Sequence, residues 1–322
     1  MCSDNLIFAA DSGGSRTRAA LLRRDGTPLA VTIKAGVAAA PETLPVAQII
    51  QETVGSLLKK SGKSPQDISC GYFSLGGPNT EETATALELA LPGVRIAVDR
   101  EARGNWFKAC APLLGVDGCV MAGTGTVAIG LSHDDSLVFA GGWGPLYDDL
   151  GSGYFIGIST LRKALLMLER REQETGLIEI LRRYGDIPPA GDFAGRMNLK
   201  SRLMQLNRAE IAGLTPSVYE LFLEGDEAAT SIIRQAAADI AQLAASIACK
   251  PESRILGIGG LFSQADTFLP LCNEAMRTIR PDISILCRPA FSLFKAACIM
   301  GLKEAGLTPD FESIEKTNYE EQ

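Results

Sequence analysis

A tight turn of small residues between two apolar runs occurs twice in this chain, and both copies continue through a polar turn into a third apolar run. The first copy reads FAADSGGSRTRAALLRRDGTPLA at residues 8–30, and the second reads CVMAGTGTVAIGLSHDDSLVFAGG at residues 119–142. Apolar runs separated by such turns predict three antiparallel strands in each copy. The repetition therefore predicts two domains of similar construction, and it constrains the fold more than any other feature of the sequence.

Strand and helix patterns alternate after each copy. The predicted strands outside the two copies lie at residues 68–74, 95–98, 254–258 and 283–287. The predicted helices lie at about residues 45–60, 81–90, 102–114, 262–279 and 291–305, with a mainly helical stretch at about 152–250. An antiparallel start followed by strand–helix alternation predicts an α/β fold with mixed sheets flanked by helices.

We place the domain boundary just before the second copy. The N-terminal domain then covers residues 1–115, the C-terminal domain with its helical insertion covers 116–290, and an acidic tail covers 306–322. The sequence leaves open whether the helix at 291–305 packs back on the first domain. Two like domains that face each other predict a cleft between them, which is a common place for a small-molecule site.

Composition excludes several function classes. A net charge of −7 disfavours a general nucleic-acid or anionic-membrane surface. The N-terminus lacks a signal-peptide pattern and no apolar run is long enough to span a bilayer, so we expect a cytoplasmic protein. The eight cysteines include no C-x-x-C pair, and the single histidine, His133, lies in a polar turn. Zinc sites and histidine-dependent triads are therefore disfavoured.

The two small-residue turns carry the first functional signal. Asp11 ends a strand before S-G-G-S, and G-T-G-T follows a strand that ends at Ala122. Amides in turns without bulky side chains can converge on an anion, and a carboxylate at a strand end can hold Mg²⁺. Either turn alone is compatible with an ordinary hairpin. Two matched turns, one preceded by Asp11, favour polyphosphate binding, although neither fits a Walker or a Rossmann loop.

A third glycine cluster lies near the C-terminus. Gly257, Gly259 and Gly260 stand between a predicted strand and a predicted helix. Glycines at such a junction allow the backbone to approach a flat ring, or they allow tight packing of the helix on the strand. The residues alone do not decide between these interpretations.

The order of the motifs resembles one family. Asp11-x-Gly-Gly-Ser-x-Thr, the turn at 123–126, GGWG followed by DDLGSGYFIG, and GIGGLF are similar to the phosphate and adenosine motifs of the actin/hexokinase/Hsp70-type ATPases. Within this superfamily the chain resembles the BadF/BadG/BcrA/BcrD-type group, which includes N-acetylglucosamine kinase and glucosamine kinase. The resemblance covers about residues 6–302. It implies two ribonuclease-H-like domains, with ATP and Mg²⁺ in the cleft between them.

The resemblance also implies roles for individual residues. Asp11 would act on Mg²⁺, and Asp99, at the end of a strand, would take the proton of the acceptor hydroxyl. An aspartate at this junction also suits a helix N-cap. Phosphoryl transfer is mostly positioning and charge neutralisation, so one well-aimed carboxylate can suffice. The residues implied around ATP are Gly13, Gly14, Ser15, Arg16, Thr17, Gly123, Thr124, Gly125, Thr126, Gly259 and Gly260.

The acceptor half departs from the family pattern. Asp149 matches the Asp of a G-D-E-G-S segment, but Asp148 replaces the Gly and Leu150 replaces the Glu. Residues 38–40 are alanines where an Asn is common, and Asn79 stands at an Asp position. Fewer groups then direct hydrogen bonds to sugar hydroxyls, which leaves the acceptor open. The implied substrate contacts are Gly77, Asn79, Asp99, Trp143 and Asp149.

The sequence therefore predicts an ATP-dependent kinase that phosphorylates the 6-hydroxyl of N-acetylglucosamine or glucosamine. Trp143 would stack on the sugar, or it would be a buried structural residue. One alternative is an ATPase that activates a partner redox enzyme through a cysteine-bound iron–sulfur cluster, for which the sequence offers no C-x-x-C pair or glycine-flanked cysteine loop. The other is a non-catalytic nucleotide or sugar sensor. A homodimer is the expectation from the family.

Overall fold

The computed structural model describes residues 5–13, 16–37, 45–75, 79–99, 102–189, 191–288 and 290–319. Its strands are β1 (Leu6–Ser12), β2 (Arg16–Leu22), β3 (Pro28–Ala35), β4 (Ile68–Leu75), β5 (Arg95–Asp99), β6 (Gly118–Ala122), β7 (Thr126–Leu131), β8 (Leu137–Gly141), β9 (Arg254–Ile258) and β10 (Ser284–Cys287). Its helices are α1 (Val46–Ser61), α2 (Thr80–Ala90), α3 (Ala102–Leu114), α4 (Gly153–Leu168), α5 (Leu177–Arg182), α6 (Phe193–Leu203), α7 (Arg208–Ala212), α8 (Thr215–Leu223), α9 (Glu227–Ser246), α10 (Ala265–Ile279), α11 (Leu293–Glu304) and α12 (Phe311–Lys316).

The chain divides into two compact units. The first comprises the residues up to 115 together with those from 289 onward, and the second comprises residues 116–288. Helix α11 therefore lies in the first unit, although it follows the second unit along the chain. Among the described residues, no helix combines the length and the apolar character needed to cross a lipid bilayer.

Both sheets have the same topology. The first runs β3-β2-β1-β4-β5 and the second runs β8-β7-β6-β9-β10. In each sheet, the first three strands in chain order pair antiparallel with their neighbours. The fourth strand pairs parallel with the first, and the fifth pairs parallel with the fourth. The repeated sequence pattern thus forms equivalent parts of two sheets, and the predicted α/β architecture of mixed sheets flanked by helices is confirmed.

Helix α1 covers one face of the first sheet. It starts after Pro45 and ends at Gly62, whose φ of 65° lets the chain leave the helix while its N–H bonds the Leu58 carbonyl. Its apolar side chains recur at helical spacing and pack against Phe8 and Leu21 of the sheet. The buried residues of this stripe are Val46, Ile49, Ile50, Val54 and Leu57.

Helix α11 packs on β1 and β4, and the acidic tail follows it. Residues 311–316 of the tail form α12, and the buried Tyr319 donates a hydrogen bond from its hydroxyl to the Gly26 carbonyl at 2.8 Å. The sequence identified this segment only by its charge. The structure shows that its C-terminal part is tied to the turn between β2 and β3.

The stretch predicted to be mainly helical supplies α4 to α9 of the second unit. Helix α9 begins at Asp226, whose carboxylate accepts the Ala229 N–H at 2.9 Å and the Gly176 N–H at 2.7 Å. Its buried face is built from alanine and isoleucine, which allows neighbouring helices to approach closely. The buried residues of this face include Ala229, Ile233, Ala236, Ala237, Ile240, Ala241 and Ala244.

Gly157 allows α7 to approach α4, because a Cβ at this position would collide with the Ile211 carbonyl. We expect Gly157→Ala to lower the free energy of unfolding by about 1–3 kcal/mol through overpacking. Gly55 lies on the exposed side of α1, and a Cβ there would meet no atom within 4 Å. Gly55→Ala is therefore expected to raise the free energy of unfolding by about 0.5–1 kcal/mol, because alanine is favoured over glycine inside a helix. Thermal unfolding followed by circular dichroism checks both variants, and an unchanged melting temperature for Gly157→Ala would contradict this packing.

Candidate active site

The carboxyl end of the first sheet gathers polar side chains from three parallel strands. Asp11 of β1 is in register with Ser74 of β4, which is in register with Asp99 of β5. Residues in register share a face of the sheet, and neighbouring strands lie about 4.8 Å apart. Asp11 and Asp99 therefore stand on one face, separated by about 10 Å of sheet.

Asp11 lies in a positively charged environment. It is partly buried and accepts a hydrogen bond from the Ser74 hydroxyl at 2.9 Å. Burial raises the pKa of the Asp11 carboxyl, and the opposing influences are the Ser74 hydrogen bond and the charges of Arg103, Arg18 and Arg16. Mg²⁺ in proteins often takes one or two carboxylates, with water and phosphate oxygens as its other ligands. The arginine charges favour phosphate near Asp11, and a carboxylate at the end of a strand is a ligand that Mg²⁺ accepts.

The first glycine turn is braced by buried hydroxyls. The Gly13 N–H donates to the Arg16 carbonyl at 3.1 Å, and the hydroxyls of Ser12 and Thr17 lie 2.7 Å apart. Both hydroxyl-bearing residues are buried, so Thr17 shapes the turn from inside the protein. A Cβ at Gly13 would meet no atom within 4 Å. The backbone of this turn therefore borders open space on the glycine side.

Val37 links two loops beside this turn. Its N–H donates to the Ser12 hydroxyl at 2.9 Å, and its carbonyl accepts a hydrogen bond from the Asn79 side-chain amide at 2.9 Å. Asn79 precedes α2 without capping it, so its amide ties the β4–α2 loop to the segment after β3. The predicted residues that lie outside the described ranges are Gly14, Ser15, Gly77 and Ala38–Ala40.

Asp99 is held by two donors. The Tyr72 hydroxyl donates to its Oδ2 at 2.6 Å, and the Asn105 side-chain amide donates to the same oxygen at 2.8 Å. Tyr72 is buried on β4, whereas Asn105 lies in the first turn of α3. The carboxylate is partly buried at the end of β5. A carboxylate with a fixed orientation at the edge of a sheet suits a general base.

The second glycine turn supports the start of α4. The Gly123 N–H donates to the Gly125 carbonyl at 3.0 Å, which closes the turn. The carbonyls of Gly123 and Thr124 accept the N–H groups of Gly153 at 2.8 Å and Tyr154 at 3.2 Å. A Cβ at Gly123 would meet no atom within 4 Å. The turn is therefore fixed on its helix side and open at Gly123.

Asp149 locks this turn from within the protein. It is 2% exposed, its Oδ1 accepts the Thr126 N–H at 3.0 Å, and its Oδ2 forms an ion pair with Arg208. The residue has a φ of 59°, which is uncommon for a non-glycine residue. A Cβ at Gly125 would collide with both members of the ion pair, so only glycine fits there. The structure thus gives Asp149 a role in shaping the turn, and its predicted contact with substrate stays a prediction.

Trp143 is 80% exposed, which contradicts the alternative of a buried structural tryptophan. Its backbone N–H donates to the Asp148 carboxylate at 3.2 Å. Leu146, Tyr147 and Leu150, which follow within the same segment, are also exposed. An exposed aromatic face beside a carboxylate suits contact with the apolar face of a sugar ring.

In the third glycine cluster, two glycines are required by close packing and one borders open space. Gly259 has a φ of 115°, and a Cβ there would collide with the Ala122 carbonyl. A Cβ at Gly257 would lie 2.6 Å from the Phe262 ring, so this glycine serves packing as well. Gly260 has no atom within 4 Å of a Cβ. Gly260 is therefore the member of this cluster that a ligand ring could approach.

Several residues that organise the site were missed from the sequence. Tyr72 and Ser74 alternate with apolar residues on β4, and this alternation was a signal that they share a face. Asn105 lies six residues after Asp99, near the start of a predicted helix. Arg208 gave no signal, because it is 59 residues from Asp149 within the helical insertion.

His133 and most of the cysteines lie in the surroundings that their sequence context predicts. His133 is exposed in the turn between β7 and β8. Within the described ranges, no group of three or more histidine, cysteine, aspartate or glutamate residues could hold a metal ion. The buried free cysteines are Cys70, Cys110, Cys119, Cys272 and Cys298.

Comparison with known proteins gives a family match and several relatives. The BadF/BadG/BcrA/BcrD ATPase family model matches residues 10–275. An N-acetylmuramic acid/N-acetylglucosamine kinase from Clostridium acetobutylicum is 26% identical over 247 residues, which cover 73% of this chain and 76% of that protein. A glucosamine kinase from Vibrio cholerae is 24% identical over 270 residues, which cover 82% of this chain and 88% of that protein.

Solved structures share the fold. A Chromobacterium violaceum protein assigned as an N-acetylglucosamine kinase superposes with a TM-score of 0.71 and 21% identity, covering 93% of this chain and 99% of that one. A ROK family glucokinase from Streptomyces griseus gives a TM-score of 0.55 and 14% identity, covering 93% and 98%. The predicted actin-like ATPase fold is thereby confirmed.

The ion pair at the second turn gives a testable consequence. Arg208→Gln leaves the buried Asp149 carboxylate without its cation, and we expect it to destabilise the protein by about 1–3 kcal/mol, since the arginine side chain is 41% exposed and partly solvated. The control is Arg234→Gln, because Arg234 and Glu274 form a pair in which both side chains are 56% exposed. We expect this control to change stability by no more than about 0.5 kcal/mol. Urea unfolding measures both variants, and equal effects would show that the buried pair does not stabilise the turn.

Proposed function

Since the chain belongs to the BadF/BadG/BcrA/BcrD ATPase family, we propose that it is an ATP-dependent sugar kinase that acts on an amino sugar. N-acetylglucosamine and glucosamine are the proposed acceptors, with phosphate transferred to the 6-hydroxyl. Two relatives with kinase activity toward such sugars each match more than 70% of this chain, and their names support this acceptor class. The observation that carries the proposal is the alignment of Asp11 and Asp99 on one face at the carboxyl end of the first sheet.

The open glycines support the nucleotide half of the proposal. Cβ atoms at Gly13, Gly123 and Gly260 would enter open space, so phosphate oxygens or a ring can approach the backbone at these positions. Arg16 and Arg18 add positive charge beside the first turn. Asp11 would hold Mg²⁺, which neutralises the charge that develops on the transferred phosphoryl group.

Asp99 would act on the acceptor. The acceptor oxygen forms a bond to the γ-phosphorus while the bond from this phosphorus to its bridging oxygen breaks, and ADP leaves. The proton of the acceptor hydroxyl passes to the Asp99 carboxylate. The exposed face of Trp143 would support the sugar ring. The cytoplasmic location, the lack of nucleic-acid and membrane partners, and the homodimer stay predictions.

The test of this function is ADP release measured over a panel of hexoses, hexosamines and N-acetylhexosamines. We expect one of the amino sugars to give the highest kcat/KM, and Asp99→Asn to lower kcat by about 10²–10⁴-fold while ATP still binds. The control is Asp25→Asn, because Asp25 lies in the turn between β2 and β3 and accepts hydrogen bonds there from the N–H and the hydroxyl of Thr27. Undiminished turnover in Asp99→Asn would refute the assignment of the base, and no stimulation by any sugar would favour the sensor alternative.

A second prediction separates nucleotide contact from folding. Gly123→Ala adds a methyl group where the protein leaves open space, so we expect ATP affinity to fall at least about tenfold with an unchanged melting temperature. Gly259→Ala forces a side chain against the Ala122 carbonyl at a φ of 115°, so we expect it to lower the melting temperature. Isothermal titration with a non-hydrolysable ATP analogue and thermal unfolding check the pair. Normal nucleotide affinity in Gly123→Ala would show that the second turn does not contact phosphate.

A further inference from the structure

We propose that Tyr72 and Asn105 are positioning residues that orient the Asp99 carboxylate for proton transfer by holding its Oδ2. The inference rests on the proposed function, in which Asp99 is the base. Neither residue belongs to the motifs that identify the family in this sequence. Their role follows from geometry, because Tyr72 on β4 and Asn105 on α3 both donate a hydrogen bond to Asp99 Oδ2.

Tyr72 reaches Asp99 along the sheet. It is in register with Ala97, two residues before the Ser74–Asp99 pair, so it stands on the same face as Asp99. Its side chain is buried, with 2% of the residue exposed. The hydroxyl lies 2.6 Å from Asp99 Oδ2, a length typical of a hydrogen bond to a charged acceptor. A packed aromatic ring has little rotational freedom, so it fixes the donor in space.

Asn105 approaches from the helix that follows Asp99. The next two residues of α3, Trp106 and Phe107, are buried, and Trp106 also packs on Phe291. These contacts set the rotation of α3 and place the Asn105 amide 2.8 Å from Asp99 Oδ2. The strand and the helix therefore supply one donor each. Two donors from different directions restrict the rotation of the carboxylate more than either one alone.

Both donors are neutral, which suits a group that must accept a proton. Burial and the hydrogen bond to Asp99 raise the pKa of the Tyr72 hydroxyl, so it stays protonated and continues to donate. The charges of Asp11 on β1 and Glu304 on α11 act in the same direction.

The decisive variant is Tyr72→Phe, which keeps the buried ring and removes the donor. We expect kcat to fall about tenfold or more, with the KM for ATP and the melting temperature little changed. Tyr219→Phe is the matched control, since Tyr219 is a buried tyrosine of the second unit whose hydroxyl contacts Thr267.

A double-mutant cycle separates positioning from a structural role. In the Asp99→Asn background, Tyr72→Phe and Asn105→Ala should have little further effect on the residual kcat, because the group that they orient is no longer a base. A structural role would lower activity by the same factor in both backgrounds, and this result would overturn the proposal. If Tyr72→Phe folds poorly, Asn105→Ala tests the same oxygen with an exposed side chain.

The proposal and the proposed function can fail separately. Full turnover in Asp99→Asn would show that Asp99 is not the base. This result would overturn both the proposed role of Asp99 and the positioning role. Loss of turnover in Asp99→Asn, combined with a normal kcat in Tyr72→Phe and Asn105→Ala, would leave the kinase assignment intact and end the positioning role alone.

Discussion

The parallel register of β1, β4 and β5 is the constraint on which the rest of the first unit depends. It places Asp11, Ser74 and Asp99 in one row at the carboxyl end of the sheet. A shift of one residue in either pairing would send a carboxylate to the opposite face, against the α1 side of the core. The buried side chains of β1 and β4 hold this register, since slippage would move Phe8 and Phe73 out of the core that they share with α1. Core packing therefore determines where the chemistry can occur.

The second unit repeats the sheet topology but arranges its turn differently. The first turn is braced by the hydroxyls of Ser12 and Thr17, whereas the second is locked by the carboxylate of Asp149 and the guanidinium of Arg208. At each turn a described glycine, Gly13 or Gly123, borders open space. The two units thus share an open backbone position, while the supporting side chains differ between them.

The sequence predicted the strands, the helices and both turns, because period, glycine content and apolar runs are local properties. It also placed Asp11 and Asp99 at strand ends, which their position before a turn and before a helix made visible. Contacts across long sequence separations were not predictable in this way. The bond between Asn79 and Val37 joins loops 42 residues apart, and Arg208 reaches Asp149 from 59 residues away. Exposure was equally uncertain, since the sequence left Trp143 either stacked on a sugar or buried in the core, and the fold leaves it at the surface.

The two carboxylates of the row differ in what surrounds them, and this difference matches their proposed roles. Three arginines act on Asp11, so the region around it attracts anionic phosphate while the carboxylate itself can hold a cation. The contacts that fix Asp99 Oδ2 come from a phenol and an amide, which carry no charge. Positive charge near Asp11 suits the binding of phosphate, whereas the two donors at Asp99 Oδ2 suit the orientation of a carboxylate. The sheet separates these environments by two strand spacings, and Ser74 between them donates to Asp11. One row of a parallel sheet can therefore support both halves of a phosphoryl transfer.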